Sequence, residues 1–412
     1  VLFKSEYISF IFSDERCMAL LMIMIPALAF TSVYAVIRGA FWGNTQFLTY
    51  STIELLEEAV MLITGIVLVN RATDALSGIQ RAGYAVLISY LFSFAVSVAV
   101  YFIKGGRLSS PERTLKPLLN SSAPITAMRT ATTLIGTSIS LILPARLVFY
   151  GATSAYALQE FGKVYGMAFP LIFMPSSLIG SLALVLVPEL TDNYYSGKYL
   201  TLKNNIEKAI KFSALIACSI MPVFLSVGKE ISVFLYSDES VGNYIIKAAA
   251  VMLPLSLSII TSSMLNSLNK EKQTLASFFI GASALIICIL FLPSIIGINA
   301  LIIGMILYYG INSCINLRLL EKASPVKPKC LLYVVKATLL VFPSAFFGSQ
   351  LNSVLKLKFN LLTSLSLTII AVVAFESALL IIFGLLEIPS HTKKRFKGLT
   401  SDKIGKRINK RA

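Results

Sequence analysis

The sequence has one histidine, one tryptophan and five cysteines in 412 residues, and little charge of either sign. His391 lies in a basic tail, so histidine-dependent acid–base or metal chemistry has nothing to build on. Cys17, Cys218, Cys288, Cys314 and Cys330 sit in or beside apolar stretches with no C-x-x-C pair, the pattern of packing thiols rather than of a redox or metal site. No G-x-x-x-x-G-K-[ST], G-x-S-x-G or H-E-x-x-H is present. Charged residues make up 14% of the chain, where a soluble domain has about 25%. The polar segments are all short, leaving no room for a water-exposed catalytic domain. These absences argue against an enzyme and against any cofactor or metal.

Hydrophobic residues predominate: they are 56% of the chain, and its mean hydropathy is +0.79. They fall into eleven stretches, 17–39, 48–70, 82–103, 123–149, 164–190, 209–228, 244–267, 275–292, 298–317, 331–350 and 361–386. A helix needs roughly 20 apolar residues to cross roughly 30 Å of hydrocarbon. Only helices and closed barrels satisfy the backbone there, and these runs lack the alternation of a barrel strand. The sequence therefore predicts an all-α, multi-pass membrane protein of the plasma membrane.

The net charge of +16 is unevenly placed. With loops assigned alternately to two sides, most lysines and arginines fall on one: the 104–122 connector, the 191–211 segment, Lys270 and Lys272, the stretch from Arg318 to Lys336, and the tail from Lys393 to Arg411. Basic residues mark the cytoplasmic face, which puts the C-terminus inside, its tail against anionic lipid rather than nucleic acid. Eleven spans then leave the first residue outside. With Val1 followed by only a short apolar stub, Tyr7 to Phe12, this leads us to expect missing upstream spans.

Two stretches open alike, Met24-Ile25-Pro26 and Met252-Leu253-Pro254, and both run outside to inside. Parallel repeats of this kind build two-lobed transporters around a central cavity. Gly105, Gly106, Pro111 and Pro117 mark a linker at 104–122. In 198–211, Leu202, Ile206 and Ile210 share a face away from Lys203, Lys208 and Lys211, which suggests an amphipathic helix on the inner leaflet.

Several segments, taken in order and spacing, resemble a known family. They are Arg38-Gly39 with Gly43, the following span with Glu57 and Glu58, Leu118-Leu119-Asn120-Ser121-Ser122-Ala123-Pro124-Ile125-Thr126, and Leu186-Val187-Pro188-Glu189-Leu190. Over essentially its whole length the chain resembles the polysaccharide-export branch of the MOP (multidrug/oligosaccharidyl-lipid/polysaccharide) exporter superfamily, nearest the stage V sporulation protein B group and the lipid II flippases. The resemblance implies a polytopic two-lobed helical transporter of MATE-like fold, with eleven of fourteen spans present. It divides the chain into the rest of an N-terminal lobe (1–103, three spans), a cytoplasmic linker (104–122), a C-terminal lobe (123–317, six spans), a connector and final helix pair (318–386), and a basic tail (387–412). It also implies alternating-access transport of an undecaprenyl-diphosphate-linked oligosaccharide or peptidoglycan precursor, with the lipid tail along the last two helices. The helices that supply much of the cavity's positive charge in relatives would be among those missing.

Ionisable groups within spans cost roughly 2.5–3.5 kcal/mol each on insertion scales, so each needs a reason. Arg129 could grip a diphosphate bidentately in the cavity, pair with a carboxylate, or snorkel to the inner surface. Arg146, near the outer end of the same span, fits snorkelling better than a cavity role. Glu54, Glu57 and Glu58 share one broad helix face. They read as a proton- or sodium-responsive coupling site, as partners of basic helices, or as a solvated face. Glu376 fits a polar contact between the last two helices better than a substrate contact. Arg38 marks the inner boundary, while Gly39 and Gly43 would allow close helix approach. Pro26, Pro170, Pro175, Pro222 and Pro254 kink their helices and free backbone carbonyls, as static curvature or as hinges.

Two other functions fit these residues: an ion-coupled exporter of organic cations with the same fold, centred on the three glutamates, and a non-transporting scaffold for cell-wall enzymes.

Overall fold

The computed structural model describes residues 15–44, 46–107, 115–268, 270–323 and 331–386. Every regular element among them is helical: α1 (Glu15–Gly43), α2 (Phe47–Val69), α3 (Ala75–Ile103), α4 (Leu115–Phe149), α5 (Ser154–Phe161), α6 (Phe169–Phe173), α7 (Ser176–Tyr195), α8 (Tyr199–Tyr236), α9 (Glu239–Ala248), α10 (Met252–Ser267), α11 (Glu271–Phe291), α12 (Pro293–Ile296), α13 (Asn299–Ala323), α14 (Leu331–Leu355) and α15 (Leu361–Ile382). A π turn, Gly162–Ala168, joins α5 to α6, and a 3-10 turn, Ala249–Val251, joins α9 to α10. Many large apolar side chains point outward, among them Leu48, Ile103, Phe149, Ile295 and Ile370. Outward apolar faces suit helices whose surroundings are hydrocarbon.

Nine helices among the described residues are long and apolar enough to cross a membrane, and a bent pair, Ser154–Phe173 with Ser176–Ala183, makes a tenth. The sequence leads us to expect eleven. The difference is α2, whose 23 residues rise about 34 Å but carry Glu54, Glu57 and Glu58 within two turns. The span expected over 164–190 is broken twice, by the π turn and by a 48° bend at Met174–Pro175, next to one of the prolines expected to kink it.

The chain divides into two compact units, Val1–Leu119 and Asn120–Ala412. Helix α4 already begins at Leu115, so the part of the expected 104–122 linker after residue 114 is helical; residues 108–114 lie outside the described residues. In the first unit α3 packs along both α1 and α2, around Tyr34, Phe41 and Ile53. Asp74 and Ser77 form a capping box that starts α3.

In the second unit α8 is the hub, in contact with α7, α9, α10, α14 and α15. The amphipathic stretch expected on the membrane surface is the first three turns of this 38-residue helix. Leu202, Ile206 and Ile210 are fully buried there, in one cluster with Met264, Leu265 and Leu320. Their apolar stripe meets protein and not lipid. The far end of α8 bends at Val227, five residues after Pro222, and Gly228 and Gly242 let α8 and α9 meet there. A Cβ on Gly242 would lie 3.0 Å from the backbone nitrogen of Lys229. Pro254 sits in the first turn of α10, directly after the 3-10 turn, while α1 continues as a single helix through Pro26.

Close helix approach does not involve Gly39, which is exposed with nothing within 4 Å of where its Cβ would be. The side chain position of Gly43 lies outside the described residues. At Gly281, by contrast, a Cβ would stand 2.7 Å from the Tyr308 carbonyl oxygen, so α11 and α13 touch backbone to side-chain position. Gly281→Val should therefore destabilise the protein by about 1–3 kcal/mol. Gly39→Ala should leave it unchanged or raise its melting temperature. Thermal unfolding in detergent separates the two.

Candidate functional site

The basic and acidic groups singled out in the sequence go to different places. In the first unit, the Arg38 guanidinium lies 4.3 Å from the Tyr50 ring centre and 5.5 Å from that of Tyr34, and pairs with Glu54. Arg38 is thus more than a boundary marker: it is the partner of Glu54. Both side chains are partly exposed, so the pair is worth at most about 1 kcal/mol. Glu57 accepts a 2.5 Å hydrogen bond from Ser93 on α3, and Glu58 is exposed. The three carboxylates therefore do not converge on one point.

In the second unit Arg146 closes a helix end. Its Nε and Nη2 donate to the Leu290 carbonyl at 3.0 and 2.7 Å, and Nη2 also donates to the Tyr150 hydroxyl at 2.8 Å. Leu290 lies in the last turn of α11, where carbonyls have no partner of their own and the helix dipole favours a cation. Arg129, on the same helix α4, differs. Its side chain is exposed, and its guanidinium makes no hydrogen bond or ion pair among the described residues. Seventeen residues of helix separate the two arginines by about 25 Å, so they cannot hold one phosphate together.

Glu376 is fully buried on α15. Its Oε2 accepts from Ser344 on α14 at 2.5 Å, and its Oε1 has no hydrogen-bond partner among the described residues. The final pair is also fastened to α8. Lys356 pairs with buried Glu230, and a Cβ on Gly348 would stand 2.8 Å from Ser226.

Two polar clusters escape the sequence reading. One joins three helices: Asn316 on α13 donates to Ser262 on α10 at 2.9 Å and accepts from Ser277 on α11 at 2.7 Å, with Asn312 bonded to both. The other surrounds the π turn. Lys163 lies 3.1 Å from Glu160 Oε1 and 3.7 Å from Asp238 Oδ2, and its side chain is only 13% exposed. Tyr244 donates to the other oxygen of Glu160, and the Tyr236 hydroxyl donates to the Met167 carbonyl at 3.1 Å. The sequence signal was available in Glu160 and Lys163 at i, i+3 and in the spacing Gly162, Gly166, Pro170.

No family model matches the chain. Stage V sporulation protein B of Bacillus subtilis (strain 168) is 21% identical over 393 residues, which cover 91% of this chain and 75% of that protein. Among solved structures, lipid II flippase MurJ in its inward closed conformation matches with a TM-score of 0.60 at 16% identity, over 89% of this chain and 75% of that one. The chain is related to the MOP-family flippases. A relative of these flippases with this many apolar helices is a multi-pass membrane protein. At 16% identity the structural match bears on the fold, which is the polytopic helical transporter fold.

Asp238, between α8 and α9, gives a pH test. Its Oδ1 accepts from the Ser240 hydroxyl at 2.6 Å and backbone N–H at 2.8 Å, and these bonds, with Lys163 nearby, hold its carboxyl below the usual carboxylate range. A depressed carboxylate stabilises the fold above its unfolded pKa of about 4, and that contribution is lost only as pH falls through the lower folded value. The destabilisation caused by Asp238→Asn should therefore stay constant from about pH 8 to about pH 5 and fade below about pH 4. Melting curves of both proteins across that range test this.

Proposed function

We propose that the protein is a membrane flippase that moves undecaprenyl-diphosphate-linked oligosaccharide or peptidoglycan precursor between leaflets by alternating access. It acts as a transporter and not an enzyme, because the work is translocation without bond cleavage. The observation that carries this reading is Arg129. Arg38 and Arg146 are spent on partners within the fold, whereas Arg129 keeps all its donors free among the described residues. A guanidinium left so in an apolar span costs roughly 2.5–3.5 kcal/mol, and an anion bound there offsets that cost. Its planar fork fits two oxygens of a diphosphate, which a lysine cannot match. The relatives support the choice of cargo: one carries lipid II in its name and the other is a sporulation protein.

In this reading the basic C-terminal tail lies on the cytoplasmic side, and a proton or sodium gradient is the candidate drive, with Glu58 as its exposed carboxylate. The unpaired oxygen of Glu376 leaves the last two helices with a polar point along the path proposed for the lipid tail.

Hydrogen bonds to a charged group contribute about 1.5–3 kcal/mol, so Arg129→Ala should slow flipping by about 10- to 100-fold and Arg129→Lys by less. Arg146→Ala should lower the melting temperature while leaving flipping nearly unchanged. Proteoliposomes loaded with a fluorescent lipid-linked sugar, with leaflet position read by a membrane-impermeant quencher, measure all three. Equal rates for Arg129→Ala and wild type would remove the arginine from the mechanism.

A further inference from the structure

The broken span Ser154–Ala183 contains two opposed instructions. Pro170 lacks an N–H, and in a regular α-helix its ring would meet the carbonyl four residues back, that of Gly166. The π turn removes that collision by widening: the Phe169 N–H donates to the Val164 carbonyl, five residues back. Against the wide turn stands the better geometry of ordinary i to i−4 bonding, and Gly166 has no Cβ to crowd a proline-kinked α-helix. Neither Gly162 nor Gly166 has any atom within 4 Å of a built Cβ, so the surroundings leave the backbone room to move.

The wide form is held from outside the segment. Glu160, just before it, is bound by Lys163 and by Tyr244 of α9; Asp238 holds Lys163 from the far side; and Tyr236 of α8 takes the Met167 carbonyl inside the turn. Beyond the turn, Phe169 and Phe173 stack at 5.3 Å, and Phe173 meets the edge of Tyr309 on α13 at 6.4 Å.

We propose that the Gly162–Ala168 π turn is a register switch. When Glu160 lets go of Lys163 and Tyr244, the turn closes to α-helix and the Phe169–Phe173 segment rotates by about 100°, one residue's worth of helical turn, breaking the Phe173–Tyr309 contact. The rotation itself follows from geometry within one unit. Its use in passing between access states rests on the flippase reading above.

The two parts are tested separately. In a cysteine-free background, Met174→Cys and Leu307→Cys carry spin labels at exposed positions on either side of the contact, and their separation is measured in lipid nanodiscs. The wild-type latch should give two distance populations. Glu160→Gln, which weakens the grip of Lys163, should raise the second by about fivefold, the effect of one net hydrogen bond. Deleting Gly162 removes the extra residue, which leaves the segment in its present orientation with no second register, and should abolish the second population. A single distance unmoved by Glu160→Gln overturns the switch. So does a second population that survives the deletion. If the deletion variant does not fold, Glu160→Gln alone decides. In proteoliposomes the deletion should slow flipping by at least about tenfold. Two populations in a protein that flips no lipid-linked sugar would sink the flippase reading and leave the switch standing, whereas normal flipping by the deletion variant would sink the switch's role in transport.

Discussion

A polar group in hydrocarbon has no water to turn to, so whatever charge or amide the sequence puts in a span must bring its partner along. This constraint accounts for most of the polar contacts in the structure. Arg146 meets a helix-end carbonyl, Glu57 a serine and Glu160 a lysine with a tyrosine. Serines and threonines within spans commonly turn back onto their own helix, as Thr261 does to Leu257 and Ser256 to Met252. Against that background the groups left with spare capacity among the described residues stand out: the Arg129 guanidinium, one oxygen of Glu376, and the buried hydroxyls of Tyr34, Ser97 and Ser213. An exposed cation suits an anionic cargo, whereas a sealed carboxyl oxygen does not, which is why the functional reading rests on the first.

Satisfying polar groups does not by itself bring helices together, because lipid tails are as apolar as leucine. Here the approach is achieved with glycine at the crossings. Gly228 and Gly242 admit α8 to α9, Gly281 and Gly304 join α11 to α13, and Gly348 lets α14 down onto α8. The polar contacts then fix which face meets which. Together they make α8 the member around which the second unit is arranged, with the final pair strapped to it by Lys356 and Glu230.

The spans were legible because length and apolarity are written along the chain, residue by residue. The family was legible for a related reason, since the order of short segments is a property of the sequence itself. What was not legible depends on distant neighbours. The stripe Leu202–Ile206–Ile210 has the same spacing whether it faces lipid or Met264 and Leu265, and only the fold distinguishes them. Gly39 and Gly281 look alike in sequence, yet only one has a carbonyl waiting against it. Glu54, Glu57 and Glu58 share a helix face, and the residues that separate them, Arg38 and Ser93, come from two other helices. The broken span was legible in part: Pro170 and Pro175 announce a kink, whereas the π turn is held by Glu160, Lys163 and Tyr244, which only the fold brings together.

The amide of Asn316 also dictates an order of events during synthesis. Ser262 and Ser277 leave the ribosome well before Asn316 exists, so the hairpin of α10 and α11 enters the bilayer with its shared partner still unmade. Ser277 can wait by keeping its hydroxyl on the Thr274 carbonyl, 2.8 Å away. Not until α13 arrives can the three helices be pinned, through one side chain that both gives and accepts. The nascent protein must therefore hold an unfinished seam in the membrane for roughly the forty residues between Ser277 and Asn316.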